Sequence, residues 1–178
     1  MVITPTLWEF GLTPEQGLKI ATIIANWAMI DNEIGHLIQR LSGISDARDG
    51  ADLVHVIDLK RKIDLLNARR KRGHLPQGMD TLVIELVYVA ENYRNDRNML
   101  AHAVITATPD RAVAWSQSKL KAISLGELDE MLSESHYATW VAHSLLLVEL
   151  GVTPDPLPPR PPARLAPPWL DEIRWHSS

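Results

Sequence analysis

The chain has 178 residues, a formal net charge of −4 and no cysteine, and apolar residues make up 46% of it. This length suits one domain with an extension, and it allows a sizeable hydrophobic core. The negative charge excludes a generally basic nucleic-acid coat, and the lack of cysteine excludes disulfides and thiolate zinc sites.

Other classes of protein are excluded by what the chain lacks. No apolar run approaches the roughly 18–20 residues that cross a bilayer, and the N-terminus has no signal-peptide pattern. We therefore expect a cytoplasmic protein with no membrane partner. The scattered histidines show no tight metal-ligand spacing with a carboxylate, so we expect no metal and no cofactor.

The first helix is predicted after an irregular arm formed by residues 1–12. Thr13 fits the N-cap position, Pro14 the first helical position, and Gln16 completes a capping box. Apolar residues then recur at helical spacing until Gly43, which is expected to end the helix. This first helix should therefore be long.

A second helical pattern covers residues 45–72, with a break expected near Asp58. Seven basic residues lie between positions 60 and 72. They are either cations favoured at a helix C-terminus on a solvated face or a patch that follows a phosphate backbone. The second interpretation makes the following residues candidates for substrate binding: Lys62, Arg69, Arg70 and Arg72.

The third helical pattern starts near Met79 and ends in a polar stretch, residues 91–102. Arg97 projects into the middle of its apolar arc, and burying an unpaired guanidinium is costly. Either a carboxylate such as Asp31, Glu33 or another acid holds Arg97, or the apolar face opens there into a site. The apolar arc comprises Leu82, Val83, Leu86, Val87, Val89, Ala90, Tyr93, Leu100 and Ala101.

The pattern then changes from helical to β-prone. Residues 103–107 and 111–115 flank a Thr-Pro-Asp turn signal and predict a small β-hairpin. Ser124 and Glu127 form a second capping box, which opens a last helix that should end at Gly151.

The C-terminal tail, residues 152–178, differs in composition from the rest of the chain. Residues 154–162 are rich in proline and favour extended polyproline II. The apolar cluster after them, with Trp169 and Trp175, is too small to fold alone. The tail either straps over its own domain or a dimer mate, or it docks into an aromatic groove of another protein.

Arg97-Asn98-Met99-Leu100-Ala101-His102 resembles the Arg-Asn-x-x-x-His form of a motif typical of the HEPN superfamily (higher eukaryotes and prokaryotes nucleotide-binding domains). The spacing of Trp27, Ile30, Asp31 and Ile34 and the stretch 58–66 are similar to the front half of such proteins. The resemblance spans roughly residues 14–150. It implies an all-α, up-and-down bundle of four to five helices, here residues 13–151, with the small hairpin after the third long helix.

The resemblance also implies a function, because many members of that superfamily are metal-independent endoribonucleases of toxin–antitoxin or antiphage defence systems. His102 would act as general base or acid, since an imidazole titrates near neutrality. Arg97 would stabilise phosphate charge through its planar guanidinium. Asn98 would orient the imidazole of His102 or contact the substrate. Arg94 and Asn95 would contact the RNA or simply be solvated.

The spacing of the motif raises a geometric question. Five residues correspond to about 500°, so Arg97 and His102 point about 140° apart on a continuous helix. They converge if the helix ends near Ala101, or if two chains line one cleft. The resemblance implies a homodimer with a composite site, and a toxin would need an antitoxin protein as partner. The alternative is a catalytically inactive helical binding module.

Overall fold

The computed structural model describes the chain in five stretches: residues 12–43, 57–102, 104–108, 111–116 and 119–162. Within them lie four α-helices and one three-stranded β-sheet. The elements in chain order are α1 (Pro14–Leu41), α2 (Leu59–Lys71), α3 (Met79–His102), β1 (Val104–Thr108), β2 (Arg111–Ser116), β3 (Lys119–Ser124) and α4 (Leu125–Glu149). The predicted all-α class with a small β-element is confirmed.

Local capping chemistry sets the ends of the long helices. The Thr13 hydroxyl accepts from the Gln16 backbone N–H at 3.2 Å, and the Gln16 side chain accepts from the Thr13 N–H at 2.8 Å. Ser124 and Glu127 form the same reciprocal box at the start of α4. Gly43, just past the end of α1, has φ +69°, a left-handed conformation that favours glycine. The predicted boundaries of both helices are confirmed.

The second helical pattern is confirmed in its later part. Asp58, at the predicted break, is the N-cap of α2, and its carboxylate accepts from the Arg61 N–H at 2.8 Å. The helical prediction for residues 45–56 lies outside the described residues, as do residues 1–11 and the tryptophans near the C-terminus.

Helices α1 and α4 pack side by side and run in the same direction. Four polar links join them from their N-terminal to their C-terminal ends, and they recur at every seventh residue of α1. Seven residues are about two helical turns, so one stripe of α1 faces α4 throughout. The links are Lys19–Asp129 (2.7 Å), Asn26–Ser135 (2.9 Å), Glu33–His143 (3.2 Å) and Arg40–Glu149.

Helix α3 runs in the opposite direction. Gly78, directly before α3, lies beside Val148 at the far end of α4. Further along, Glu85 accepts a hydrogen bond from the Tyr137 hydroxyl at 2.9 Å. The successive helices α2, α3 and α4 therefore alternate in direction, as an up-and-down bundle requires. The bundle has a sheet end, where α3 finishes and α4 begins, and a basic end, where α2 finishes and α3 begins.

The sheet lies between α3 and α4 in the chain and has the order β1-β2-β3, antiparallel throughout. In the predicted hairpin Val104 pairs with Trp115, and Thr108 pairs with Arg111. The strand β3 was not predicted, although residues 119–122 alternate polar and apolar side chains, which is a strand signal. Ile123 of β3 is fully buried and joins the sheet to the core.

The core is mainly aliphatic, and α3 contributes most of its predicted arc. The buried members of this arc are Leu82, Val83, Leu86, Val89, Tyr93 and Leu100. Val87 and Ala90 are partly buried, whereas Ala101 is exposed. The predicted arc is therefore buried or partly buried through Leu100, and its last member is exposed.

Candidate functional site

The whole motif lies in the last two turns of α3, at the sheet end of the bundle. The last residue of the helix is His102, directly after Ala101, which agrees with the first of the two conditions for convergence, a helix that ends near Ala101. The angle of about 140° between the directions of Arg97 and His102 holds only for a regular helix through both residues, and His102 is the terminal residue. Their side chains, and those of Arg94 and Asn95, lie outside the described residues.

The turn that carries the motif is accessible. Asn98 and Ala101 are both exposed, although Tyr93 and Leu100 on the same helix are buried. Ala101 is four residues after Arg97, and residues four apart lie on one face of a helix. Tyr93 and Leu100, four residues before and three residues after Arg97, lie on the same face and are buried, so exposed and buried surfaces of α3 meet at this turn.

Both acids of α1 that were considered as partners of Arg97 contact other residues. The Lys62 ammonium lies 2.7 Å from Asp31 Oδ1, and His143 Nδ1 lies 3.2 Å from Glu33 Oε1. The third alternative was that another acid pairs with Arg97. Helix α4 contains a buried one, Glu134, of which 1% is exposed.

Lys62 does not belong to an accessible basic surface. Only 4% of its side chain is exposed, and its ammonium also donates to the Asp31 backbone carbonyl at 3.3 Å. A buried cation needs such partners, because leaving it unpaired is costly. This lysine joins α2 to α1, so we leave it out of any surface that contacts phosphate.

The arginines at the end of α2 are partly engaged in packing. Arg69 Nη1 donates to the Leu41 carbonyl at 2.8 Å, which satisfies an orphan acceptor at the end of α1. Arg70 Nη1 lies 3.7 Å from the Asp80 carboxylate on α3. Arg72, the C-cap residue of α2, is exposed. Of the three arginines, Arg72 is the most available to a phosphate.

The basic residues and the motif lie at opposite ends of the bundle. Asp80, which Arg70 contacts, is in the first turn of α3, and Arg97 and His102 follow 17 and 22 residues later. At the helical rise per residue these separations are about 25 Å and about 33 Å along the axis. The structure thus separates the two groups of residues that were predicted to form one site.

A third cluster joins the Pro-rich segment (residues 154–162) to α3 and α4, so this part of the tail straps over its own domain, one of the predicted alternatives, although sequence reasoning did not identify the residues involved. Arg160 donates to both carboxylate oxygens of Glu85, with Nε 2.9 Å from Oε2, and its guanidinium lies 4.1 Å from the centre of the Tyr88 ring. The hydrogen bond from Arg160 lowers the pKa of Glu85, and burial raises the pKa of the Tyr137 hydroxyl. The sequence signal that could have revealed this cluster is the single arginine among the prolines of residues 154–162.

Two kinds of feature are absent from the described stretches. No helix among them is long and apolar enough to cross a membrane. No group of three or more histidine, aspartate or glutamate side chains there is arranged to hold a metal ion.

The comparisons with known proteins do not identify a family: no family model, no curated protein and no solved structure matches the chain. Its class is defined by architecture, an all-α bundle with a small antiparallel sheet inserted before its last described helix.

Proposed function

We propose that the protein is a metal-independent endoribonuclease that works as a homodimer, with Arg97 of one copy and His102 of the other in one cleft. The observation that supports this proposal is the exposure of Asn98 and Ala101 in the turn that carries the motif, since a phosphate must reach that turn. The homodimer with a composite site is what the HEPN resemblance of residues 97–102 implies.

The reaction assigned to this cleft needs three groups. A base removes the 2′-hydroxyl proton, the 2′-oxygen attacks the phosphorus, and the 5′-oxygen leaves as an acid protonates it. His102 is suited to one of the proton transfers. Arg97 would neutralise the charge that develops on the phosphate oxygens. Asn98, one turn before His102, would orient the imidazole or the substrate.

The biological context that we propose, a toxin or antiphage defence protein of the cytoplasm with an antitoxin partner, follows from the HEPN resemblance of residues 97–102. A shared fold alone would not establish this biological context, because the function of a protein depends on the residues of its site.

The second candidate is a catalytically inactive helical module that binds a protein or a nucleotide. Two observations favour it: Lys62 is sequestered by Asp31, and the arginines of α2 lie about 25 Å from the motif along α3. A nuclease site usually collects its cations around the scissile phosphate, whereas the described basic residues of α2 lie away from the motif.

The test uses purified full-length protein, labelled single-stranded RNA and EDTA. We expect cleavage by the wild type, and a loss of about 100-fold or more in His102→Ala and in Arg97→Ala. The matched control is His143→Ala, an exposed histidine paired with Glu33 elsewhere in the bundle, which should retain activity. Expression of the wild type should slow growth, and His102→Ala should relieve this effect.

Mixing the two inactive variants tests the composite site. A heterodimer of Arg97→Ala and His102→Ala contains one intact cleft if each cleft takes one residue from each copy. Random mixing should then restore about a quarter of wild-type activity. If the wild type and His102→Ala are equally inert on RNA and equally harmless to growth, the binding-module proposal replaces the nuclease.

A further inference from the structure

The Pro-rich segment lies in a groove between α3 and α4. It contains neither helix nor strand, and its anchor is Arg160, which meets the Glu85 carboxylate through two donors. The Tyr137 hydroxyl donates to the same carboxylate, and the Tyr88 ring lies under the guanidinium. One acid therefore receives three hydrogen bonds, and one arginine receives both an ion pair and a cation–π contact.

The other wall of the groove is aromatic and is formed by α4. His136, Tyr137 and Trp140 line it opposite the prolines at 158, 159 and 161. Aromatic side chains beside an acid are the surroundings that recognise extended Pro-rich peptides containing an arginine, because such peptides are already ordered when free. The bundle thus presents the chemistry of a peptide-binding groove.

The segment of the chain itself fills this groove incompletely. Trp140 remains 45% exposed. An open space of about 360 Å³ is left between α4 and the prolines. A peptide that covered Trp140 would bury more apolar surface than residues 154–162 do.

We propose that the groove between α3 and α4 is a recognition site for an extended Pro-rich peptide containing an arginine, occupied by residues 154–162 as an intramolecular ligand until such a segment of a partner protein displaces them. A second copy of this chain is a weaker candidate. Its identical segment would compete with a tethered one, whose effective concentration is on the order of millimolar. A partner segment that also covers Trp140 would have additional contacts.

The test uses the full-length protein and a labelled synthetic peptide with the sequence of residues 154–162, with a control peptide whose arginine is replaced by alanine. We expect weak binding to the wild type, where the tethered segment competes, and about tenfold or more tighter binding to Arg160→Ala. Adding Glu85→Gln to Arg160→Ala should abolish this gain in peptide affinity. Arg40→Ala, which breaks an arginine–glutamate pair elsewhere, should leave peptide affinity at the wild-type level.

A second measurement does not depend on the folding of a variant. In isotope-labelled wild type, unlabelled peptide at about millimolar concentration should shift the guanidinium N–H signal of Arg160, because the peptide then displaces the tethered segment. The proposal is overturned if this signal does not move, or if both peptides bind Arg160→Ala equally. A concentration-dependent dimer that does not respond to the peptide overturns it in favour of exchange between copies.

Discussion

The ammonium of Lys62 on α2 lies 2.7 Å from the carboxylate of Asp31 on α1, and 4% of the lysine side chain is exposed against 39% of the aspartate. The pair joins two helices at the edge of the core. A residue that looks like part of a basic surface is therefore a buried structural cation.

We expect Lys62→Ala to lower the free energy of unfolding by about 1–3 kcal/mol, because it removes a buried pairing while Asp31 keeps partial access to water. Urea denaturation measures this loss. The control is Lys60→Ala on the same helix: its side chain is 59% exposed in a pair with Asp64, and it should cost less than about 0.5 kcal/mol. Equal stability of the two variants would contradict the structural role of Lys62.

The Asn26–Ser135 link between α1 and α4 gives a second prediction. The Asn26 side chain donates to the Ser135 hydroxyl, which donates in turn to the Leu132 carbonyl. Ser135→Ala leaves a buried donor without its acceptor and should cost about 1–3 kcal/mol. Adding Asn26→Leu should recover part of this loss, whereas Ser133→Ala, at an exposed neighbour, should be nearly neutral. Thermal unfolding of the wild type and these three variants checks the pattern.

The contact between Glu85 and Arg160 predicts a dependence on pH. The pKa of Glu85 is lowered in the folded protein, first by the hydrogen bond from Arg160. Because the pKa of Glu85 is lower in the folded than in the unfolded protein, the ionised carboxylate stabilises the folded state at pH values above the unfolded pKa, about 4.3. This contribution disappears as the pH falls through the folded pKa. Wild-type stability should therefore fall more steeply below about pH 4.3 than that of Glu85→Gln.

Urea midpoints measured from neutral pH to pH 3 test this expectation. Arg160→Ala serves as the matched variant, because it removes the cation and keeps the acid, and it should show the same shallow slope as Glu85→Gln. Three indistinguishable slopes would mean that the contact contributes nothing to folding.

The separation of the basic end from the motif predicts that RNA affinity and cleavage can be changed independently. If the protein cleaves RNA, Arg72→Glu should weaken binding of a long single strand and reduce the slope of log affinity against log salt by about one phosphate contact. Cleavage of a dinucleotide, too short to span about 25 Å, should be unchanged. A proportional loss on both substrates would place Arg72 beside the scissile phosphate and contradict the geometry.

Local signals explain the parts of the fold that could be predicted. The capping boxes at Thr13 and Ser124 specify helix starts through contacts only three residues apart, so the printed sequence already contains both partners. The hairpin was predictable for the same reason. The third strand was missed because its alternation lasts four residues, over 119–122, before Ile123 interrupts it.

The candidate site shows where local reasoning stops. That Arg97 and His102 belong to one helix could be predicted, because helical periodicity is a property of neighbouring residues. The partner of Lys62 lies 31 residues away, and the partner of Arg160 lies 75 residues away. Charge alone could not choose among the many acids of the chain.

The sequence by itself determined the helices, their ends, the hairpin and the helical position of the motif, because each depends on backbone hydrogen bonds and side chains within a few residues. Only the tertiary structure decided that the basic end lies far from His102, that Lys62 is buried against Asp31 and that Arg160 crosses back to Glu85. These outcomes depend on the directions in which α1, α2, α3 and α4 pack, and packing joins residues that are far apart in the chain.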